Sequence, residues 1–234
     1  HHLIDVAEPT ENFSVSDYER LAFPVVEDIL SRGKTPVICG GTGFYIKALL
    51  FKSQFGNAPK DEELRKKYEA IAAEQGKEYL HGLLQAVDAE SAKKLHPNDV
   101  KRVIRALEIY ESTGKKKSEQ DDKEIPRFEY TAYAIDRPRE ELYDRINLRV
   151  DKMFENGLLD EVKGLLSDGV TLENQCMQAI GYKEICEGLE KGASLEEMKE
   201  EIKKNTRNYA KRQLTFFKKF PKIEWISKDD IWKI

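Results

Sequence analysis

The chain has 234 residues, of which 40% are hydrophobic and 35% are charged, and its net charge at pH 7 is −4. This length allows one or two domains with a sizeable core, and the composition excludes a disordered or membrane-spanning chain. The acidic balance argues against indiscriminate nucleic-acid binding, although the 39 Lys and Arg residues leave room for a local basic face.

Cysteines and histidines show no metal-ligand spacing. Cys39, Cys176 and Cys186 are far apart and lie in apolar patterns, which is typical of reduced core cysteines in a cytoplasmic protein. No apolar run approaches the length of a membrane span. We therefore expect no zinc site and no membrane partner.

The first elements predict the start of a parallel sheet. Residues 3–6 have a strand pattern, and Ser14 or Ser16 can cap a helix that runs to about Arg32. Residues 37–39 form a short apolar run, typical of a strand that is buried on both faces. Strand, helix and strand with short connections predict a right-handed βαβ unit.

A glycine-rich turn follows the second predicted strand. Gly40, Gly41 and Gly43 precede a predicted helix at 44–51, and Thr42 places a hydroxyl in the middle of the turn. The N–H groups and the dipole of a helix start favour a bound anion. A purely structural turn has the same pattern, so this stretch alone leaves both interpretations open.

The sequence pattern predicts that the middle of the chain is helical. A polar linker is predicted at 52–59, and a charged loop at 115–126 precedes a strand at 128–135. The predicted helices between them span 61–75, 77–86, 88–95 and 99–113. We therefore predict an all-helical insertion domain at 58–126 within an α/β core formed by 1–57 and 127–234.

The remaining third is predicted to be helical up to a final edge strand at 223–226. The predicted helices span 138–156, with Pro138 at the first helical position, 158–167, 181–190 and 194–220. The segment Gln178-Ala-Ile-Gly-Tyr-Lys183 is a second suggestive turn. It fits a helix boundary with a buried Ile180 as well as a functional loop, and the pattern does not choose between them.

Three predicted helices carry basic faces beside apolar ones. The residues are Lys101, Arg102 and Arg105; Arg145, Arg149 and Lys152; and Lys204, Arg207 and Lys211. A single such face is usually solvated. Three of them in an acidic chain favour a polyanionic partner, because phosphate contacts need cations, and arginine can donate two hydrogen bonds to a diphosphate at once.

Six motifs cover nearly the whole chain. They are His1-His-Leu-Ile-Asp5, Gly40-Gly-Thr-Gly-Phe-Tyr45, Asn98-Asp-Val-Lys-Arg-Val-Ile-Arg-Ala-Leu-Glu108, Leu142-Tyr-Asp-Arg-Ile-Asn147, Gln178-Ala-Ile-Gly-Tyr182 and Thr206-Arg-Asn-Tyr-Ala-Lys-Arg-Gln-Leu-Thr215. In this order they resemble the motifs of the tRNA dimethylallyltransferases, also called tRNA isopentenyltransferases. The absence of a C-terminal zinc finger favours the bacterial type.

The resemblance implies an activity and a fold. A dimethylallyl group would pass from dimethylallyl diphosphate to N6 of the adenosine on the 3′ side of the tRNA anticodon, with Mg²⁺ at the phosphates and diphosphate as the leaving group. The implied fold is α/β with a P-loop NTPase-like parallel sheet core and the helical insertion. A monomeric cytoplasmic enzyme that binds the anticodon stem-loop is expected.

The resemblance also implies site residues. Thr42 would lie at the reaction channel, and Arg145 would be a catalytic cation that contacts the diphosphate. The channel would be lined by Gly40, Gly41, Gly43 and Tyr45. The tRNA contacts would be Arg65, Lys101, Arg102, Arg105, Lys204, Arg207, Lys211 and Arg212, those of the last helix resting more on charge than on a motif.

Two family features do not occur in this sequence. They are the phosphate-binding loop ending in Gly-Lys-Ser/Thr and the general-base Asp that follows it, so we expect that the N-terminal part of the sheet is absent from this chain. Two other interpretations stay open: a small-molecule phosphotransferase in which the helical segment is a lid, and a non-catalytic RNA-binding module.

Overall fold

The computed structural model describes residues 1–52, 61–119 and 125–233. The chain divides into two compact units, one formed by His1–Leu50 with Phe128–Ile234 and the other by Phe51–Arg127. Most of the predicted linker at 52–59, together with residues 120–124 of the predicted loop, lies outside the described residues. No helix in the described ranges is long and apolar enough to cross a membrane.

The described elements are mostly helices. In chain order they are α1 (Val15–Ser31), α2 (Gly43–Leu50), β1 (Phe51–Lys52), α3 (Glu62–Gln75), α4 (Lys77–Val87), α5 (Ala89–Lys94), α6 (Val100–Thr113), β2 (Ile125–Pro126), β3 (Ala132–Asp136), α7 (Arg139–Glu155), α8 (Leu158–Ser167), α9 (Tyr182–Lys191), α10 (Leu195–Phe217) and β4 (Ile223–Ser227). Short 3₁₀ helices cover Lys117–Glu119, Gln175–Gln178 and Lys228–Lys233.

The predicted helices are confirmed to within a few residues, because local capping groups fix their ends. Ser14 accepts a hydrogen bond from the Asp17 N–H while Asp17 accepts one from Ser14, and Ser194 forms the same box with Glu197. Gly114 ends α6 in the left-handed conformation. Pro138 is the residue before α7 rather than its first residue.

The predicted βαβ unit is wrong for this structure. Residues 3–6 and 37–39 form no strand, Leu3 and Asp5 have positive φ angles, and Val37 is 86% exposed. Cys39, predicted to be buried, is exposed. Short apolar runs become buried strands only when neighbouring strands pair with them, and the described part of the chain pairs none with these two runs.

The strands that do form give two small sheets. β1 pairs with β2 in antiparallel orientation, and β3 pairs with β4 in parallel orientation in a register that runs from Ala132 opposite Ile223 to Asp136 opposite Ser227. The predicted strands at 128–135 and 223–226 are therefore present with shifted limits. The structure is an α/β fold in which helices predominate.

Each unit buries its own apolar cluster. In the larger unit, α7 to α10 surround a cluster that includes Val150, Val162, Met177, Ile185 and Ile202. A second cluster joins α1 to α2 through Ala22, Val26 and Leu49. In the unit Phe51–Arg127 the cluster includes Tyr68, Leu80, Leu84, Val103 and Leu107. Burial of the first cluster packs α7, α9 and α10 together, and most of the predicted functional cations lie on these helices.

Candidate functional site

The glycine-rich turn packs closely against α10. The Gln213 side-chain amide donates a hydrogen bond to the Gly41 carbonyl at 2.9 Å. A Cβ at Gly41 would lie 2.1 Å from Nε2 of Gln213, and one at Gly43 would lie 2.2 Å from Cε1 of Phe216. Gly40 has open space at the same position. Packing against the Phe216 ring therefore requires glycine at position 43, whereas the flexible Gln213 side chain could move away from a side chain at position 41. This supports the structural interpretation of the turn.

Thr42 lies at the start of α2. Its carbonyl accepts hydrogen bonds from the N–H groups of Tyr45 at 2.9 Å and Ile46 at 3.2 Å, while its side chain is exposed. The helix thus fixes the backbone of Thr42 and leaves the hydroxyl accessible to a ligand. The predicted role at a reaction channel stays a prediction with compatible geometry.

Tyr45 faces α1. Its ring stacks on Tyr18 with a centroid separation of 4.6 Å, and its hydroxyl donates to the Phe13 carbonyl at 3.5 Å. Burial, followed by the charge of Asp17, raises the pKa of Tyr45. This side chain joins α2 to α1, so its predicted place in a channel wall has a structural interpretation beside it.

Arg145 projects from the exposed side of α7. Within the described ranges it forms no ion pair, and its side chain is open to solvent. At 3.6 residues per turn it lies about 160° around the helix from Asn147, which faces α10. An unpaired arginine in this position can donate to a phosphate without first breaking a protein contact.

Polar pairs line one edge of the contact between α7 and α10. We call this edge the α7–α10 seam. Asp151 pairs with Lys203 (3.0 Å) and Asn147 with Arg207 (2.7 Å), and the next step places Tyr143 opposite Lys211, whose charge acts on the phenol. Each step is four residues back on α7 and four residues forward on α10, as expected for stripes on two antiparallel helices. The sequence-predicted residues Arg207 and Lys211 thus lie side by side along one groove edge.

Two further predicted cations of α10 have local partners. Lys204 forms an exposed ion pair with Glu201 at 3.0 Å, and the Arg212 guanidinium lies 5.6 Å from the centroid of the Tyr209 ring. Exposed pairs of this kind contribute little to stability and are easily exchanged for another partner. Both cations therefore remain available to an anion.

In the unit Phe51–Arg127, a buried carboxylate organises two of the predicted cations. The Glu108 side chain is fully buried and accepts hydrogen bonds from Arg65 through Nε and Nη2, both at 2.9 Å, and from Arg105 at 2.5 Å. The N–H of Asp61 adds a fourth at 2.8 Å. Burial raises the pKa of Glu108, but these hydrogen bonds outweigh it and the net pKa is lowered.

The other two predicted cations of α6 are exposed. Lys101 is open to solvent, and Arg102 forms a 3.2 Å ion pair with Asp99. Together with Arg65 and Arg105, whose side chains are 28% and 30% exposed, they form a region with more positive than negative charge. Such a region can contact phosphates through the exposed edges of its guanidinium groups.

The segment at 178–183 is a helix boundary in this structure. Gly181 has a φ of +106°, and its N–H donates to Glu184 at 2.7 Å. Glu184 is buried and also accepts from the Asn205 amide at 2.8 Å, and Ile180 packs on the apolar cluster. The interpretation as a structural turn is supported, because one carboxylate ties the start of α9 to α10.

The structure groups Arg207 and Lys211 of α10 with α7, and it shows no direct contact between the two predicted catalytic residues. No hydrogen bond or ion pair between described residues joins Thr42 to Arg145. Three residues that the sequence reasoning missed organise these groups: Glu108, Asn147 and Tyr143. Glu108 could have been found as the one carboxylate on the apolar stripe of α6, whereas Asn147 and Tyr143 are recognisable only once α7 is paired with α10.

Described residues do not form a metal centre. No group of three or more His, Cys, Asp or Glu side chains converges within the described ranges.

Comparison with known proteins gives a consistent result along the chain. Residues 1–220 match the family model described as IPP transferase. The tRNA dimethylallyltransferase of Thermoanaerobacter sp. (strain X514) is 47% identical over 235 residues, which cover 98% of this chain and 75% of that protein.

Two solved structures resemble the fold. The full-length tRNA isopentenylpyrophosphate transferase from Bacillus halodurans is 40% identical with a TM-score of 0.67, over 97% of this chain and 71% of that one. A eukaryotic dimethylallyltransferase acting on tRNA is 31% identical with a TM-score of 0.77, over 100% of this chain and 61% of that one.

Proposed function

The chain belongs to the IPP transferase family, and we propose that it transfers a dimethylallyl group from dimethylallyl diphosphate to N6 of the adenosine on the 3′ side of the tRNA anticodon. The observation that supports this most directly is similarity along almost the whole chain to relatives named for that activity. A tRNA acceptor also favours a cytoplasmic enzyme, and we propose that it acts as a monomer with a P-loop NTPase-like core.

The reaction sets the demands on the protein. The N6 nitrogen attacks the allylic carbon, the carbon–oxygen bond to the diphosphate breaks, the diphosphate leaves with the electron pair, and the N6 proton passes to a base. Negative charge grows on the leaving oxygens, so cations and N–H donors that are already in place lower the barrier. The adenine must also leave its stack to reach the donor.

Arg145 suits the leaving group. It is exposed and has no ion pair among the described residues, so its planar fork is free to donate two hydrogen bonds to the diphosphate. Thr42 has an accessible hydroxyl on a backbone fixed by α2, and it would hydrogen bond near the transferring carbon. No hydrogen bond between described residues joins the two, so the substrates, rather than a direct contact, would connect their roles.

We propose that Mg²⁺ takes part in the reaction and binds together with the diphosphate. Mg²⁺ usually keeps several water ligands and binds through substrate phosphates with one or two carboxylates, which agrees with the absence of a side-chain cage in the described ranges. Transfer should rise and saturate as Mg²⁺ is added to metal-free protein, and activity that is equal in excess chelator would contradict the proposal.

We propose that the helical unit contacts the tRNA. Lys101 and Arg102 are its most exposed predicted cations, and Glu108 leaves the outer edges of Arg65 and Arg105 accessible. Replacing Lys101 and Arg102 together by Ala should weaken tRNA binding and flatten its salt dependence, because each lost phosphate contact lowers the slope by about 0.7–0.9. An unchanged slope would count against this contact.

A transfer assay with labelled dimethylallyl diphosphate tests the function. Label should appear in the RNA only when tRNA is present, and Arg145→Ala should reduce turnover far more than tRNA affinity. Equal turnover in Arg145→Ala at saturating substrates would remove Arg145 from catalysis. A phosphotransferase would label no RNA and bind none, whereas a non-catalytic module would bind tRNA without transferring label.

A further inference from the structure

Cations along the α7–α10 seam are neutralised to different degrees. At one end, Lys203 lies 3.0 Å from both Asp151 and Glu200, so its charge is cancelled by carboxylates. In the middle, Arg207 donates to the amide oxygen of Asn147, a neutral acceptor that fixes the guanidinium and leaves its charge intact. Positive charge therefore increases along the seam.

At the other end, two cations lie near the Tyr143 phenol, and Arg139 hydrogen bonds to it. The Nε of Arg139 donates to the Tyr143 hydroxyl at 3.0 Å, and its guanidinium carbon lies 5.1 Å from the ring centroid. On α10, Lys211 lies one helical turn beyond Arg207, at the step of the seam opposite Tyr143, and its charge acts on the same phenol. Burial raises the pKa of Tyr143, but the hydrogen bond from Arg139 and the charges of Arg139 and Lys211 outweigh it, and the net pKa is lowered. A neutral phenol cancels neither charge.

Of the two carboxylates in the first turn of α7, Glu141 is already engaged, and Glu140 forms no ion pair with Arg139 or Lys211 among the described residues. Glu141, in the first turn of α7, pairs with Arg137 and lies 3.8 Å from Lys228. Within the described ranges neither Arg139 nor Lys211 takes part in an ion pair. The sequence from 202 to 223 holds eight Lys and Arg residues and no Asp or Glu. Two uncancelled positive charges near one phenol repel each other, and an anion between them relieves that repulsion.

The helix dipole does not account for Lys211. Cations at a helix C-terminus are stabilised only within the last turn, and α10 continues for six residues beyond Lys211 to Phe217. Arg139 stands at the opposite, N-terminal end of its own helix, where the dipole disfavours a cation and favours an anion. Local helix energetics thus explain neither side chain, whereas a shared anionic ligand explains both.

We propose that Arg139, Tyr143 and Lys211 form a binding site for a phosphate group. Arg139 supplies a planar fork, Lys211 a compact charge, and the Tyr143 hydroxyl a further donor, which suits the several oxygens of a phosphate. The phosphate belongs either to the RNA backbone or to the prenyl donor. Naming these two sources rests on the proposed function, while the site rests on the side-chain geometry.

Substitutions in the full chain distinguish the two sources. The variants are Lys211→Gln, Arg139→Gln and Tyr143→Phe, with Lys191→Gln as a control that removes an exposed lysine already paired with Glu187 at 3.7 Å. Affinity for a labelled anticodon stem-loop RNA is measured at several salt concentrations. Affinity for inorganic diphosphate is measured by calorimetry. Thermal unfolding verifies that each variant is folded.

If the site binds a phosphate of the RNA, Lys211→Gln and Arg139→Gln each lower the salt slope of RNA binding by about 0.7–0.9 relative to the control. Both variants then leave the affinity for diphosphate unchanged. With a donor phosphate, the same variants weaken diphosphate binding several-fold and leave the slope unchanged. Tyr143→Phe shows a smaller loss of the same kind. If all variants match Lys191→Gln in both measurements, the site does not exist.

Failure of the site and failure of the proposed function give different results. If the parent chain transfers no prenyl group, but Lys211→Gln lowers the salt slope of RNA binding, the phosphate site is supported and the proposed activity is contradicted. If the parent chain transfers the group, but the variants equal the control in RNA and diphosphate binding, the activity is supported and the phosphate site is contradicted.

Discussion

Glu108→Gln is expected to destabilise the unit Phe51–Arg127 by about 3 kcal/mol, since removing one partner of a buried ion pair costs about 3–5 kcal/mol. Four donors converge on this carboxylate: two N–H groups of Arg65, one of Arg105 and the Asp61 N–H. The amide keeps the size of the side chain, but it carries no charge and turns one acceptor into a donor. The lower end of the range applies because both guanidinium groups are partly exposed and regain some hydration.

Calorimetry and urea unfolding measure this loss. For a unit of this size, 3 kcal/mol corresponds to a fall in melting temperature on the order of 10–20 °C. Glu111→Gln is the matched control, since it makes the same change at an exposed residue one turn away whose partner is the Tyr68 hydroxyl. In a double-mutant cycle, Arg65→Gln should cost much less in the Glu108→Gln background than in the parent.

The pH dependence of this effect has a definite sign. The pKa of Glu108 is lowered in the folded protein, so its stabilising contribution is fully present above the unfolded pKa of about 4.3 and is lost as pH falls through the lower folded value. The stability difference between parent and Glu108→Gln should be complete at pH 7 and shrink below about pH 4. Equal melting temperatures at pH 7, or a difference that grows in acid, would refute the reasoning.

Three further predictions concern other sites. Asp88 caps α5 and accepts a hydrogen bond from the Ser118 N–H, and its pKa is lowered to about 2. Its contribution to the free energy of unfolding is therefore present above about pH 4 and is lost as the pH falls through 2. The urea midpoint of Asp88→Asn should lack this pH dependence. Gly43→Ala should cost about 1–3 kcal/mol in urea unfolding because its Cβ meets an aromatic ring of α10, whereas Gly40→Ala should be neutral. Asn147→Asp should keep the protein folded but neutralise Arg207, lowering the salt slope of RNA binding by about 0.7–0.9.

The helices were predictable because residues close together in the sequence determine where each helix begins and ends. Ser14 and Ser194 each precede an acidic residue three positions on, and Gly114 supplies the left-handed end of α6. These groups act within four residues of sequence, so no knowledge of the fold is needed to recognise them. The apolar stripes between the caps then identified the buried faces.

The strands predicted at 3–6 and 37–39 do not form, and this could not be seen from the sequence alone. A strand is stabilised by its neighbours, and Val37 at 86% exposure shows an apolar run without a sheet to enter. β3 and β4 succeed because each supplies a partner for the other across a separation of almost 90 residues. Apolar runs of this length therefore indicate strands only when a pairing partner is also identified.

The candidate site was only partly predictable, because charge in the sequence does not show which cations are already neutralised. Lys203 and Arg207 lie one turn apart on α10, yet carboxylates cancel the first and an amide merely holds the second. The difference is set by Asp151 and Asn147, which are some 50–60 residues earlier in the sequence and become neighbours only when α7 packs antiparallel to α10. A polyanion is attracted to charge that the protein leaves uncancelled, so the uncharged partner of an arginine is as informative about binding as the arginine itself.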